Sequence, residues 1–176
     1  MKLGTLCQNI RFVLSDVDGV LTDGGIVFDN QGIESKRFFV RDGLGIALWH
    51  RAGYQYGLLT ARTSHIVKVR ADELGIDMVR QGFEDKLPVA IEMIDQLGLT
   101  AEQVCYIGDD LPDLPVIQLV GLGVAVADAS TEVRQSADYV TKTSGGQGAV
   151  REIVEMILKS QRRWDALIQR YTGTES

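Results

Sequence analysis

The sequence predicts an α/β fold built on a doubly wound, parallel β-sheet. Short apolar runs alternate along the chain with segments of helical pattern, which is typical of βαβ units. The exception is the segment 24–39, which has the pattern of a β-hairpin. A chain of 176 residues is long enough to bury a substantial core as one domain. We therefore predict a single domain over residues 1–176, with a hairpin inserted after the first strand and a flexible tail at 172–176.

Six apolar runs, each bounded by residues that favour turns, are the predicted strands of the main sheet. In chain order they are 12–15, 56–60, 78–80, 104–107, 123–126 and 139–141, the last as a candidate edge strand. The hairpin is predicted from a first arm at 26–28, a turn at 29–32 and a second arm at 33–39. The hairpin interrupts the alternation and is too short to be a domain of its own.

Polar residues that can accept hydrogen bonds from free backbone N–H groups mark helix starts, and glycine marks helix ends. On this basis Asp42 caps a helix that follows the hairpin, and Ser64 caps the next one. Pro88 suits the first turn of a third helix. The last long helix is predicted from about Gly148 to Tyr171. The predicted ends of the first three helices are Gly53, Gly75 and Gly98.

Composition and charge narrow the class of protein. The net charge of −6 argues against a nucleic-acid or anionic-membrane partner, because either would need a basic face. The N-terminus does not resemble a signal peptide, and no run approaches the roughly 20 apolar residues that span a bilayer. The two cysteines lack metal-ligand spacing. We expect a cytoplasmic protein that acts on a small molecule.

Carboxylates follow two of the predicted strands, at the edge where an open α/β sheet binds its ligands. Asp16 and Asp18 end the first strand, and they can point into one cleft because side chains i and i+2 share a face of a strand. Asp109 and Asp110 follow the fourth strand, with Asp113 one turn further on. Crowded carboxylates need a counter-charge, and oxygen ligands without a Cys or His cluster favour Mg²⁺. The sequence therefore predicts a Mg²⁺ site at this edge.

The residues at the strand ends resemble the four motifs of the haloacid dehalogenase-like phosphohydrolases, in the same order and over nearly the whole chain. These motifs are 16–20 (DVDGV), Thr60, Lys86 and 108–113 (GDDLPD). The chain departs from the superfamily at Ala61, where glycine is usual, but the backbone N–H that would bind phosphate is retained. Further segments resemble the small capless phosphatases that act on 3-deoxy-D-manno-octulosonate 8-phosphate: 18–24, 40–43, 81–82 and 145–152.

The resemblance implies a Rossmann-like fold and a covalent mechanism. Asp16 would be the nucleophile that forms a phospho-aspartyl intermediate, and Asp18 would act as general acid and then general base. Asp16, the backbone carbonyl of Asp18 and Asp109 would hold Mg²⁺. Thr60 and Lys86 would bind the phosphoryl oxygens, because stabilisation of phosphoryl transfer is mostly electrostatic.

Two pairs of residues keep alternative interpretations. Asp113, with its neighbour Asp110, could orient Lys86 or could cap a short helix. Arg62 and Arg70 are placed one or two turns apart on the helix after the second strand. The resemblance makes these arginines ligands of a sugar acid's carboxylate or phosphate, in their own or a neighbouring subunit's site. The alternative is that they form surface salt bridges.

The substrate implied by the resemblance is 3-deoxy-D-manno-octulosonate 8-phosphate, an intermediate of lipopolysaccharide precursor synthesis. An alternative enzyme is a deaminoneuraminate or sialate 9-phosphate phosphatase, but that resemblance implies Glu in place of Arg62. An alternative from another class is a non-catalytic oligomerisation module, like the phosphatase-like domains fused to some sugar-acid cytidylyltransferases. Such a module would have lost motif residues, whereas this chain keeps all of them.

The hairpin also predicts an assembly. An isolated two-stranded ribbon is marginally stable in water, and its unpaired edges invite further strand pairing. The hairpin's large apolar residues cover both of its faces, so one body of the same subunit can bury only one face. We therefore predict a homotetramer with the hairpins at its core and the active sites at subunit boundaries. The apolar residues are Ile26, Val27, Phe28, Ile33, Phe38 and Phe39.

Overall fold

The computed structural model describes residues 3–173, and its centre is a six-stranded parallel sheet. The sheet order is β5-β4-β1-β6-β7-β8, and the remaining strands, β2 and β3, form a separate antiparallel pair. This arrangement confirms the predicted α/β fold. The strands are β1 Phe12–Ser15, β2 Val27–Phe28, β3 Glu34–Ser35, β4 Gln55–Thr60, β5 Met78–Gln81, β6 Val104–Gly108, β7 Leu122–Ala125 and β8 Tyr139–Val140.

The order of the strands places a crevice between β1 and β6. From β1 the chain winds outward through β4 to β5, and it then crosses back to continue through β6, β7 and β8. In the register of the sheet, Ser15 at the end of β1 lies beside Leu58 of β4 and Ile107 of β6. Ligands of doubly wound sheets bind beyond the strand ends at such a reversal. The residues that follow β1 and β6 are therefore neighbours.

Two groups of helices pack around the sheet. One contains α1, α2 and α7, and the other contains α4, α5 and α6. The helices are α1 Leu3–Gln8, α2 Val40–Arg51, α3 His65–Leu74, α4 Lys86–Gln96, α5 Leu114–Leu119, α6 Thr131–Ser136, α7 Ala149–Ser160 and α8 Trp164–Thr172. Short 3₁₀ helices occupy Ala101–Gln103 and Leu111–Asp113. None of the helices within residues 3–173 has both the length and the apolarity needed to cross a membrane.

Every residue of β1 is buried, and so is every residue of β6. A strand of a parallel sheet that is covered on both faces reads as a continuous apolar run, which explains why the run 12–15 stands out in the sequence. Each large apolar side chain buried in this way contributes on the order of 1.5–3 kcal/mol. The core therefore fixes the strand ends from which the predicted site residues project.

The predicted role of Asp42 as a helix cap is wrong. Helix α2 begins at Val40, and Asp42 lies inside its first turn with 1% of its surface exposed. Its Oδ1 accepts a hydrogen bond from the N–H of Arg151 at 2.8 Å. Asp42 therefore satisfies a free N–H at the start of α7, a helix far away in the sequence, rather than one at the start of its own helix.

The single long helix predicted near the C-terminus is also wrong, because α7 and α8 are separated by a break at 161–163. Arg162 has φ 59° and so adopts the left-handed conformation. The Gln161 side chain donates hydrogen bonds to the carbonyls of Cys7 and Ile10 at 2.8 and 2.9 Å. These contacts with the N-terminal segment hold the turn, and a pattern of apolar residues cannot reveal them.

The described residues end just after the last helix. Thr172 is the last residue of α8, and Gly173 follows with a left-handed φ of 67°. Residues 174–176 lie outside the described residues, and the flexible tail over 172–176 stays a prediction. The division into one domain over 1–176 stays a prediction.

The hairpin is present but shorter than predicted. Only two residue pairs form, Val27 with Ser35 and Phe28 with Glu34, so the second arm ends at Ser35 instead of continuing to residue 39. Beyond that point Lys36 turns towards the strand-end cleft, and Phe38 packs against the hydrophobic core. After these two pairs, the contacts of Lys36 and Phe38 with the rest of the subunit replace strand pairing.

Candidate active site

A cleft of about 170 Å³ opens at the carboxyl ends of β1, β4 and β6. It contains all the predicted site residues except Arg70 and Asp113, within the described part of the chain. Asp113 lies beneath the cleft and is fully buried. The residues that line the cleft are Asp16, Asp18, Thr60, Ala61, Arg62, Lys86, Asp109, Asp110 and Pro112.

Asp16 is fixed at the floor of the cleft. Its Oδ1 accepts a hydrogen bond from the N–H of Val17 at 2.6 Å, and its Oδ2 lies 2.8 Å from Lys86 Nζ. Burial raises the pKa of Asp16 to about 6, although Lys86 opposes this effect. The carboxylate is therefore ionised above that pH and is held in one orientation, as a nucleophile must be.

Lys86 is the first residue of α4, and only 2% of its surface is exposed. Its Nζ lies 2.6 Å from Asp113 Oδ1, which also accepts a 2.6 Å hydrogen bond from the Tyr106 hydroxyl. Burial works against the charged form of Lys86, but the carboxylates of Asp16 and Asp113 outweigh it and raise the pKa. Lys86 is therefore a charged group that lies directly against the Asp16 carboxylate.

Asp113 anchors this arrangement. Its Oδ2 accepts hydrogen bonds from the N–H groups of Asp109 at 2.9 Å and Asp110 at 3.2 Å. With the two bonds to Oδ1, its carboxylate makes four contacts. Of the two roles considered for Asp113, these contacts correspond to orienting Lys86 and the loop after β6. The Asp110 side chain accepts a hydrogen bond from the N–H of Asp113, which closes the same turn.

Asp109 faces Asp16 across the cleft. Burial, together with the charges of Asp16 and Asp113, raises the pKa of Asp109 to about 8. The loop after β1 approaches Asp109 so closely that a Cβ at Gly19, where φ is 90°, would collide with the Asp109 carboxylate. Glycine is therefore required at this position both for the backbone conformation and for the space.

The cluster can accommodate a hard cation. Asp16, Asp109 and Asp113 each offer a carboxylate oxygen, and these oxygens lie within 4.8 Å of one another. Because Asp113 already accepts four hydrogen bonds, Asp16 and Asp109 are the carboxylates with capacity left for an ion. Their raised pKa values have the same origin, which is a shortage of positive charge around buried carboxylates. The donor set is therefore suited to Mg²⁺.

Thr60 ends β4 and Ala61 follows it, and both residues form the opposite wall of the cleft. Thr60 is 2% exposed, and its Oγ1 accepts a hydrogen bond from the N–H of Arg62 at 3.3 Å. The placement of Arg62 on a helix was wrong, since α3 begins at His65 and Arg62 lies in the loop before it. Ser64 occupies the cap position of α3, but its hydroxyl donates to Glu34.

Arg70 does not line the cleft within residues 3–173. Its Nη1 lies 2.7 Å from Glu73 Oε2, and its guanidinium stacks 5.6 Å from the ring centre of Phe38. Within one subunit these contacts correspond to the surface salt bridge considered as its alternative role. Participation in a neighbouring subunit's site stays a prediction.

Glu34 and Lys36 are two site residues that the sequence interpretation missed. Glu34 lies in the second arm of the hairpin and Lys36 directly follows that arm; Lys36 Nζ forms an ion pair with Asp18 Oδ1. Glu34 binds Arg62 Nη2 at 3.0 Å. The signal was available, because residues 34 and 36 share one face of an extended segment, by the same reasoning that pairs Asp16 with Asp18.

The glycine-rich loop 144–148 supports the site from behind. The N–H of Gly146 donates to the carbonyl of Val20 at 2.9 Å, and the N–H of Gly145 donates to Asp128 Oδ1 at 2.9 Å. A Cβ at Gly145 would collide with the carbonyl of Gly19. The loop is therefore packed directly against the turn that follows Asp16, and it is more than a linker.

Comparison with known proteins identifies the family. A family model described as haloacid dehalogenase-like hydrolase matches residues 54–153. The 3-deoxy-D-manno-octulosonate 8-phosphate phosphatase of Haemophilus influenzae is 46% identical over 154 residues, covering 88% of this chain and 86% of the relative.

Solved structures agree. The phosphatase of the same name from Moraxella catarrhalis, in complex with a magnesium ion, a phosphate ion and a KDO molecule, has a TM-score of 0.94 and 40% identity, covering 96% of this chain and 97% of that one. The Yersinia pestis phosphatase has a TM-score of 0.91 and 44% identity, covering 93% and 88%. With the motif residues gathered in one cleft, this chain belongs to the haloacid dehalogenase-like hydrolases, and its activity is that of a phosphatase.

Proposed function

We propose that this phosphatase is Mg²⁺-dependent and converts 3-deoxy-D-manno-octulosonate 8-phosphate to 3-deoxy-D-manno-octulosonate and phosphate, in lipopolysaccharide precursor synthesis. The reaction proceeds through a phospho-aspartyl intermediate. The observation that carries the proposal is the strand-end cluster, in which Lys86 lies 2.8 Å from Asp16 and Asp109 faces the same cleft. The descriptions of the Haemophilus and Moraxella relatives support the choice of substrate.

The first half of the reaction uses Asp16 and Asp18. An Asp16 oxygen forms a bond to phosphorus while the bond from phosphorus to the sugar oxygen breaks, and Asp18 donates a proton to the departing oxygen. Lys86 and Thr60, with the Ala61 N–H, bind the phosphoryl oxygens and stabilise the charge that they carry. In the second half, Asp18 takes a proton from a water molecule whose oxygen attacks phosphorus. The bond between phosphorus and Asp16 breaks, and phosphate leaves.

Asp16, Asp109 and the backbone carbonyl of Asp18 would hold Mg²⁺. When bound, the ion supplies positive charge that screens the anionic nucleophile from the anionic phosphate. Asp113 acts only indirectly, by holding Lys86 and the N–H groups of Asp109 and Asp110. Asp109→Asn should therefore weaken Mg²⁺ binding, whereas Asp77→Asn, at an exposed position away from the cleft, should leave it unchanged.

Arg62 supports the eight-carbon substrate. It reaches the edge of the cleft, its guanidinium Nε lies 3.8 Å from Asp18 Oδ2, and 44% of its side chain is exposed. A partly free cation at the mouth of the site suits the carboxylate of a sugar acid. The nine-carbon substrates are also sugar acids, so the preference for eight carbons rests on the resemblance, which implies Glu at this position in the nine-carbon phosphatases.

The deciding experiment is turnover of a panel of sugar phosphates, with Mg²⁺ and with excess EDTA. We expect the highest kcat/KM for 3-deoxy-D-manno-octulosonate 8-phosphate, loss of activity in EDTA and recovery when Mg²⁺ is restored. Arg62→Ala should raise KM for this substrate more than it lowers kcat. Preference for the nine-carbon phosphate would contradict the substrate, and full activity in EDTA would contradict the metal.

We also propose that the active form is a cytoplasmic homotetramer joined through its hairpins. Four apolar hairpin side chains are between 44% and 58% exposed in the single chain: Ile26, Val27, Phe28 and Ile33. Contiguous exposed apolar surface of this kind is unusual on a monomer and typical of an interface. A neighbouring subunit packed there would also cover the mouth of the cleft, where the chain carries no cap domain.

A further inference from the structure

The hairpin contributes a buried cation to the active-site cleft. Only 1% of the Lys36 side chain is exposed, and its Nζ contacts Asp18 Oδ1 and lies 3.4 Å from Glu34 Oε1. Lysine is rarely buried to this extent unless it is paired. Its neighbour Arg37 has a 78% exposed side chain that pairs with Asp23. Lys36 is therefore buried because its side of this segment faces the cleft, whereas Arg37 on the other side is exposed.

Lys36 and Lys86 lie on different sides of the reacting group. Lys86 contacts Asp16 and is therefore on the side of the phosphoryl group. Lys36 contacts Asp18, which in the proposed mechanism must reach the oxygen that links phosphorus to the sugar. The ammonium group of Lys36 consequently lies beside the leaving alcohol. The cleft of about 170 Å³ is smaller than a typical ligand pocket of roughly 300 Å³ or more, so the sugar extends past this point.

Glu34 connects Lys36 to the other residues on the leaving-group side. Its carboxylate accepts a 2.6 Å hydrogen bond from Ser64 Oγ, and it lies 3.0 Å from Arg62 Nη2. The hydrogen bond from Ser64, with the nearby cations, lowers the pKa of Glu34. Glu34 is therefore ionised near neutral pH, and it ties both cations to the loop after β4.

We propose that Lys36 is a substrate-binding residue that donates a hydrogen bond to a sugar hydroxyl near the phosphate ester, and that Glu34 is the positioning residue that holds Lys36 and Arg62. The proposal rests on the role of Asp18 as general acid in the proposed function. The ammonium group of Lys36 has three N–H donors, and its contacts with Asp18 and Glu34 use two of them. The third N–H is therefore free to donate to a hydroxyl of the leaving alcohol beside it. The site therefore favours phosphate monoesters of polyols over those of simple alcohols or phenols.

The test compares two substrates in Lys36→Met. One is the sugar phosphate that the wild type turns over best in the panel above, and the other is p-nitrophenyl phosphate, which has no hydroxyl groups and a leaving group that needs little acid catalysis. Loss of a charged hydrogen bond predicts a decrease in kcat/KM of about 10- to 100-fold for the sugar phosphate. For p-nitrophenyl phosphate we expect a change within about threefold, because the lost contact is to the sugar. The matched control is Arg37→Met, on the exposed side of the same segment, which should change both values by less than about twofold.

Glu34→Gln tests whether Glu34 positions Lys36 and Arg62 or is needed for the integrity of the whole active site. It should raise KM for the sugar phosphate more than it lowers kcat, and it should leave p-nitrophenyl phosphate turnover and Mg²⁺ affinity near wild-type values. Equal losses on both substrates, or a change in Mg²⁺ affinity in Lys36→Met, would show that Lys36 only neutralises the carboxylates and would overturn the proposal. No loss on either substrate would overturn it as well. A different preferred sugar phosphate in the panel would contradict the proposed function but not this inference.

Discussion

The strand-end site and the hairpin are held in place by different kinds of contact. At the strand ends, Asp16, Lys86 and Asp113 are joined by ion pairs of 2.6–2.8 Å and lie on elements that the sheet register fixes. The hairpin has two residue pairs, and its apolar side chains are exposed. The subunit therefore determines the geometry of the strand-end groups by itself, whereas the hairpin would acquire its full environment from a neighbouring subunit of the proposed tetramer.

We expect the strand-end site to determine the chemistry of phosphoryl transfer and the hairpin to determine the choice of substrate. In the proposed mechanism the groups that act on phosphorus come from the buried sheet, and any phosphate monoester would use them in the same way. Glu34 and Lys36 come from the hairpin segment and contact Asp18 and Arg62, on the side proposed for the leaving group. Changes in the buried network should therefore affect every substrate, whereas changes in the hairpin should affect particular substrates and the assembly.

The largest effect is expected for Asp16→Asn, which removes the nucleophile from the rigid region. Turnover of every phosphate monoester should fall by at least about 10³-fold, because loss of a nucleophile removes the covalent route. The fold should be retained, since Asn can still accept the hydrogen bond from the N–H of Val17. Turnover with a circular dichroism melt checks both parts. Near-normal turnover in folded Asp16→Asn would contradict covalent catalysis.

Asp113→Ala should cause the largest loss of stability. It leaves buried Lys86 with one carboxylate instead of two and removes the acceptor of the Tyr106 hydroxyl and of two backbone N–H groups. Removing one member of a buried ion pair costs about 3–5 kcal/mol in free energy of unfolding. Urea denaturation measures this change. Asp72→Ala, at an exposed position on α3, is the control, and a loss for Asp113→Ala as small as the control's would contradict the anchoring role.

A smaller, pH-dependent effect is expected at Asp42, which is buried between α2 and α7. Burial raises its pKa from 3.8 to about 6, a shift of roughly two units that corresponds to at most about 3 kcal/mol. The folded state binds a proton that the unfolded state releases between these two pH values. Stability from this group is therefore complete below pH 3.8 and decreases as pH rises to about 6. Asp42→Asn should lack this decrease in urea titrations from pH 4 to 7, and parallel profiles for the two proteins would contradict it.

Much of the strand-end site could be predicted because the apolar runs that mark the strands also show which residues lie at the strand ends. Residues 12–14 form a continuous apolar run because both faces of β1 are covered, and the run stops just before Ser15 and Asp16. Once the ends of β1, β4 and β6 are known, parallel topology brings Asp16, Thr60 and Asp109 to one edge. The match to known motifs then assigned roles to residues that topology had already grouped.

The contacts that sequence analysis missed join segments far apart in the chain. Asp42 binds an N–H 109 positions away, which no local capping rule can anticipate. The break at Arg162 depends on hydrogen bonds from Gln161 to the N-terminal segment. Lys36 was predicted to lie in a strand, but it forms an ion pair with Asp18 in the cleft. Strand pairing at the end of a short hairpin is too weak to prevent this contact.

The smallest effect on the stability of the subunit is expected for the double substitution Val27→Ser with Phe28→Ser in the hairpin. The same variant is the most direct test of whether the hairpin, unlike the strand-end site, depends on a partner subunit. Both side chains are more than half exposed in the single chain, so the free energy of unfolding of the subunit should change by no more than about 1 kcal/mol. In the proposed tetramer the same side chains are buried between subunits, where each contributes on the order of 1.5–3 kcal/mol. Sedimentation equilibrium should therefore show a tetramer for the wild type and a species near 19.3 kDa for the double variant.

Ile91→Ser, at a 42% exposed apolar position on α4, is the matched control and should remain tetrameric. A wild-type monomer that is fully active at assay dilution would contradict the assembly, and a tetrameric double variant would place the interface elsewhere than the hairpin.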